Sequence, residues 1–499
     1  MLIEQTIKRI NSLKASGIKY ILALSAISLL MSGCLSDNQK ASLAFERKDY
    51  SSAYNQYYQL AENGDKTAQF QLGLMFENAI GVVPDYQKAA DWYKLSAEQG
   101  YAKAQTNLGN LYYNGKGVGQ DYEKAAELYM LASKQWDISA RNNLAVMYLK
   151  GQAVEQNTEK AVSLLKYSAK HGNVKAQYTL GKLYREGTQI PRNDYKAAKY
   201  LKLAAEQGHS QALNTLALMY ELGEGVVRAP SKAAGLYRQA AAGGCTESQN
   251  NLGLMYLEGK GVKQDNEQAR QYLTKAADAG AVNAQCALGL LALKQDDKQS
   301  ADRWLNLAAE NNNRVAQHSL GVIHYRNQDY KNAIKYYTLS AERGYKEAQN
   351  NLGLMYFEGT AVKRDYLKAY KWLRSAADQN LPQSQYTLGW MYYKGLGVGQ
   401  DYSQAADWFR LAAENGFMPA QARLGDMNLK GTGIAQNYPE AVKWLCLAAD
   451  QGHTDSQHNV SLMYIRGLGV KQDRKKAEHY RSLAENQRTA SSREIAMMY

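Results

Sequence analysis

The chain has 499 residues, 45% of them hydrophobic, a formal net charge of +13 and four cysteines. That apolar share suffices for a continuous core, and apart from the N-terminal segment no run of 18 apolar residues is present to span a bilayer. Positive and negative charges alternate, the longest basic run is Arg474-Lys-Lys476, and no recognised binding motif is present, which argues against nucleic acid as a partner.

At the N-terminus, Lys8, Arg9, Lys14 and Lys19 precede the apolar run Ile21 to Met31, which is too short to span a bilayer comfortably. A basic leader, a short apolar run and small residues predict a secretory signal. The sequence Ser32-Gly33-Cys34 resembles the lipobox of bacterial lipoproteins, with Met31 where that pattern prefers Leu. The resemblance implies cleavage between Gly33 and Cys34, lipidation of Cys34 and, because Leu35 stands in place of Asp, sorting to the outer membrane. A plain cleaved signal with an incidental Cys34 is the alternative. Residues 1–33 are thus expected to be a lipoprotein signal peptide and 34–40 a short linker, and loss of the first 33 residues would leave a net charge of +10.

From there a segment repeats almost to the end. The stretch Gln249 to Tyr256 has copies at Gln105, Gln177, Gln349, Gln385 and Gln457, and counting each unit from the Ala or Ser before that Gln gives twelve starts, from Ala68 to Ser456. Nine of the eleven intervals are 36 residues and two are 32. Such a period signals a solenoid whose units bury their apolar faces only against neighbours. Each unit reads as two helices, because Leu252, Met255 and Tyr256 share one helical face, as do Ala405, Ala406, Trp408, Phe409, Leu411, Ala412 and Ala413. Asp85, Asp121, Asn157, Asp194, Asp401 and Asn437 are expected to N-cap the second helices, and Gly100, Gly172, Gly208, Gly280, Gly344, Gly416 and Gly452, with Asn312 and Asn380, to end them.

At the sixth position of every unit stands Gly, or else Ala145, Ala217 or Ser461. Glycine inside a helix costs about 1 kcal/mol relative to Ala, so this column predicts that the second helix passes too close for a larger side chain. Most units join their helices through a loop such as Gly115-Lys-Gly-Val-Gly-Gln-Asp121, and the two 32-residue intervals arise where that loop is missing. Together these features resemble the Sel-1-like repeat family, relatives of the tetratricopeptide repeat. The resemblance implies an all-α, right-handed α-solenoid of twelve to thirteen helix-turn-helix repeats whose first helices line a concave surface. The expected organisation is a tetratricopeptide-like first unit over 41–67, twelve Sel-1-like repeats over 68–490, and a half-repeat over 491–499 that is a cap, a dimer contact or a truncation point.

Little points to catalysis. Histidines such as His318, His324, His453 and His458 match no zinc pattern and are expected at the surface, the glycine loops lack the Lys-Ser/Thr of a nucleotide cradle, and no cofactor or metal is expected. Cys245, Cys286 and Cys446 cannot all pair internally and read as buried, inert thiols. Some secreted members of the resembled family carry regular disulfides and are linked to β-lactam binding or hydrolysis, but that cysteine spacing is absent here. Function must come from first-helix positions 3, 4 and 7, where Asn107, Asn143, Asn251 and Asn351 repeat and Tyr178, Tyr386 and Trp390 vary. An Asn ladder either binds an extended peptide or sugar hydroxyls, or only hydrates the helix face. The expectation is a non-catalytic protein-interaction scaffold, anchored to the outer membrane through Cys34 and facing the periplasm. The alternatives are a peptidoglycan- or exopolysaccharide-supporting lipoprotein that takes an anionic glycan and, more remotely, a β-lactam-binding or hydrolysing repeat protein.

Overall fold

The structure, a computed structural model, describes residues 36–497, with side chains described through residue 486. The signal segment 1–33, the cleavage point at Gly33 and the lipidation site Cys34 lie outside the described residues. Among the described residues there are 26 α-helices and no strand. They form two compact units, one comprising 36–248 with Lys260–Val262, the other Gln249–Gly259 with 263–497. Within each unit, first and second helices alternate as a solenoid.

The caps set the helix boundaries. Asp85, Asp121, Asn157, Asp401 and Asn437 each accept a backbone N–H from three residues on. One expected cap is displaced: Asn193 accepts from Lys196, and Asp194 is already the first helical residue. Gly100, Gly208 and Gly452, with Asn312 and Asn380, have positive φ just beyond the second helices, so each occupies the left-handed position that favours these two residue types. At both ends the expected boundaries differ from the helices observed. Ser36 and Gln39 form a capping box that starts the helix Asp37–Glu46 within the stretch expected to be a linker. The last helix runs unbroken from Arg474 to Met497, since no Gly or Pro interrupts it at 490.

The glycine column has a direct cause. A Cβ at Gly253 would sit 2.6 Å from Leu273 Cγ, at Gly109 2.7 Å from the Tyr129 ring, and at Gly389 2.5 Å from Phe409. Leu273 and Phe409 are fully buried and Tyr129 nearly so, so one bulky second-helix residue per unit fills the space glycine leaves. Where Ser461 replaces glycine, its hydroxyl donates to Ala477 O at 2.8 Å. The central loop glycine works similarly: a Cβ at Gly117 would lie 2.2 Å from the Tyr86 carbonyl carbon, so the loop lies on the start of the preceding second helix.

The signature Gln is a buried polar tie between repeats. Gln105 Nε2 donates to Ala97 O, and Gln135 Nε2 donates to Gln105 Oε1 at 2.9 Å. The same pair of bonds recurs at Gln69, Gln177, Gln349 and Gln421. Each carbonyl lies near the end of the preceding second helix and already accepts one backbone N–H, as Ala97 O does from Gly100 at 2.9 Å, so the Gln adds a second bond that joins successive repeats.

Candidate functional site: the first-helix groove

In the first compact unit, the first helices Lys66–Glu77, Ala102–Asn114, Ile138–Lys150 and Val174–Glu186 line an open groove of about 910 Å³. Its walls carry Asn110, Asn114, Asn142, Asn143, Asn173, Tyr113, Tyr178 and His209; Glu77 and Lys175 are its only Asp, Glu, Lys or Arg residues. The groove therefore offers neutral donors and acceptors.

The carboxamides are prearranged by the repeat register. Asn143, at position 4, donates to Asn110 Oδ1 at position 7 of the preceding repeat (2.8 Å), and Tyr129 donates to the same oxygen (2.8 Å). Burial raises the Tyr129 pKa, which keeps the phenol a donor. Asn142 Nδ2 donates to Asn143 Oδ1 at 3.1 Å. With its oxygen doubly engaged, Asn110 keeps an Nδ2 that donates to no group among the described residues. At the far end Tyr178 stacks on His209, with ring centroids 4.5 Å apart. His209 Nδ1 accepts from Ala212 N as a helix N-cap, and burial lowers its pKa.

Of the site residues read from sequence, the groove brings together Asn143 and Tyr178. Asn107 donates instead to Tyr93 OH, which donates to Glu77 Oε2. The others lie in the second compact unit. Asn251 accepts from Asn250. Asn351 Nδ2 donates to His318 Nε2 at 3.2 Å and borders a smaller pocket of about 360 Å³ with Tyr325, Arg326 and Glu358. Tyr386 and Trp390 belong to an aromatic cluster with Tyr393, Phe409 and Phe417. Position 3 is more enclosed than its polarity implied: Thr106, Asn142 and Asn350 are all less than 10% exposed.

Two other expectations change. His453, like His209, N-caps a helix, and His318 is held between Tyr337, Tyr345 and Asn351, so neither is an idle surface residue. Cys245, Cys286 and Cys446 are free thiols, Cys446 only partly buried, and burial pushes Cys286 up to about 11. Among the described residues no group of three or more His, Cys, Asp or Glu side chains is placed to hold a metal ion.

Alternating first and second helices stacked within each unit define an α-solenoid repeat protein. The model of the Sel1 repeat matches twelve times in succession, from residues 66–101 to residues 454–487, and the chain belongs to the Sel1 repeat family. It is similar to a protective antigen of uropathogenic Escherichia coli with an SLR fold, at 33% identity and a TM-score of 0.71 over 87% of this chain and 94% of that one. It also matches a Sel1 repeat protein from Oxalobacter formigenes, at 25% identity and a TM-score of 0.45 over 48% of this chain and 97% of that one. None of the curated proteins matches the chain.

Proposed function

We propose that this Sel1 repeat protein is a lipid-anchored, non-catalytic scaffold of the bacterial cell envelope, facing the periplasm from the outer membrane and holding protein partners against its first helices. The observation that carries the scaffold reading is the carboxamide relay Asn142–Asn143–Asn110, which leaves the Asn110 amide unspent on the wall of a groove of about 910 Å³. Carboxamides donate and accept at once, and so match the alternating N–H and C=O groups of an extended peptide. The anchor rests on Ser32-Gly33-Cys34 after the apolar run Ile21 to Met31, and the outer-membrane assignment on Leu35.

Two experiments test this reading. Labelling cells with an alkyne fatty acid should mark the wild-type chain in the outer-membrane fraction and leave Cys34→Ala unmarked; an unlabelled wild type removes the anchor. Asn110→Ala with Asn143→Ala should reduce partner capture at a temperature well below its own melting transition, whereas Tyr129→Phe, which loses the same buried hydroxyl bond but keeps both carboxamides, should capture normally. Full capture by the double Ala variant, or capture of glycan alone, removes the peptide groove.

A further inference from the structure

Arg423 occupies position 4, the register at which Asn143 reaches back to position 7 of the preceding repeat. It too reaches back, and its guanidinium carbon lies 4.5 Å from the Trp390 ring centroid and 4.3 Å from that of Tyr393. Lys394 approaches the same two rings, at 5.9 and 5.6 Å. The two cations are therefore within about 10 Å of each other, one Debye length at 0.1 M salt. Neither takes part in an ion pair among the described residues, and Arg423 Nε is buried without an acceptor. Asp426, one turn along the helix, is engaged by Asn459 Nδ2 at 3.2 Å.

Two other stacked arginines are spent. Arg141 lies between Trp136 and Tyr167, but its Nε donates to Ser133 O. Arg374 stacks on Trp408 and pairs with Asp378. Among the described residues, only at Arg423 do two rings hold a guanidinium in a fixed plane beside a second cation with no ion-pair partner.

We infer that Arg423 and Lys394 form a carboxylate-binding site for an acidic segment of a protein partner, a specificity element that rests on the scaffold reading above. A planar, immobilised guanidinium presents paired N–H donors to a carboxylate at low entropic cost. An acidic peptide fits better than an acidic glycan, because the Trp390 and Tyr393 rings already give faces to Arg423 and provide no free platform on which a pyranose could stack.

The test is fluorescence anisotropy on the full chain with a labelled twelve-residue Glu-Ser peptide, its Gln-Ser counterpart and an oligogalacturonate. The acidic peptide should bind the wild type, weaken about tenfold or more with Arg423→Gln, and weaken again with rising salt. Lys394→Gln, at an exposed position, should weaken binding without affecting folding, and Arg423→Lys should recover part of the loss. Equal binding of the two peptides, unchanged binding by both Gln variants, or tighter binding of oligogalacturonate would overturn the site. If Arg423→Gln changes nothing while the Asn110/Asn143 variant still loses its partner, the carboxylate site fails and the scaffold stands.

Discussion

Replacing Gly253 by Leu tests the packing rule on which every repeat depends. The new Cβ alone would lie 2.6 Å from Leu273 Cγ, 2.9 Å from Cδ2 and 3.3 Å from Ala269 O, about 1 Å inside ordinary carbon contact. Leu273 is fully buried and has no open space to turn into, so the helices must separate. Overpacking of this kind costs about 1–3 kcal/mol or more, against a gain of about 1 kcal/mol in helix propensity. With three further carbons to place beyond Cβ, the expected net loss is about 3 kcal/mol, concentrated in Thr246–Glu258 and Asn266–Asp278. Urea titration by circular dichroism gives the total, and hydrogen exchange should show those two helices losing protection first. Adding Leu273→Ala should restore part of the stability, so the double variant is less damaged than the two single effects summed. An unchanged midpoint and unchanged protection in Gly253→Leu would refute the reasoning.

Three further outcomes follow from polar groups. Ser248 and Ser384 donate to Asn214 and Asn350 in the preceding repeat, both at 2.8 Å, whereas Asn142 faces Ala176 at the same register and its Oδ1 is buried without a partner. Ala176→Ser should therefore stabilise by about 1 kcal/mol in a urea titration; a loss would show that the register rule does not hold there. Gln349→Ala removes the bonds to Ala341 O and Gln379 Nε2, which keep the Gly344 N–H and Ser375 O as partners, and should cost about 1 kcal/mol, which a melting curve superimposable on wild type would contradict. Burial holds His318 and His209 below the ordinary histidine value of 6.5. As the pH falls through that value the unfolded chain takes up protons first, so stability is full above it and declines below it. The melting temperature should drop between pH 7.5 and 5, by less in His318→Gln; an equal drop would clear His318 of the effect.

What was legible in the sequence is what periodicity records. The twelve units, the paired helices and the tight glycine column all follow from single residues recurring in register, because each meets an equivalent neighbour. The Gln tie was hidden because its partners lie 8 residues before it and 30 after, on different helices, and no spacing within one helix betrays that. Position 3 read as open because its residues are polar, yet Asn142 is 4% exposed; it packs against the next first helix. Asp194 and Asn193 have the same capping chemistry, so the sequence alone does not separate them, and it is Asn193 that caps. Arg423 stands at a position dominated by Asn, and no spacing in the sequence shows that the Trp390 and Tyr393 rings hold it.

The central claim is that the first-helix groove holds a protein partner, and site-specific photocrosslinking tests it most directly. A photoreactive residue placed at Thr179 or Lys175 in the groove, or at Lys199 or Lys202 on a second helix, would be activated in intact cells and the adducts compared. The account predicts one discrete protein adduct from the groove positions, absent from the second-helix positions and lost when Asn110 and Asn143 are both Ala. The same adduct from both faces, or one untouched by those substitutions, would contradict it.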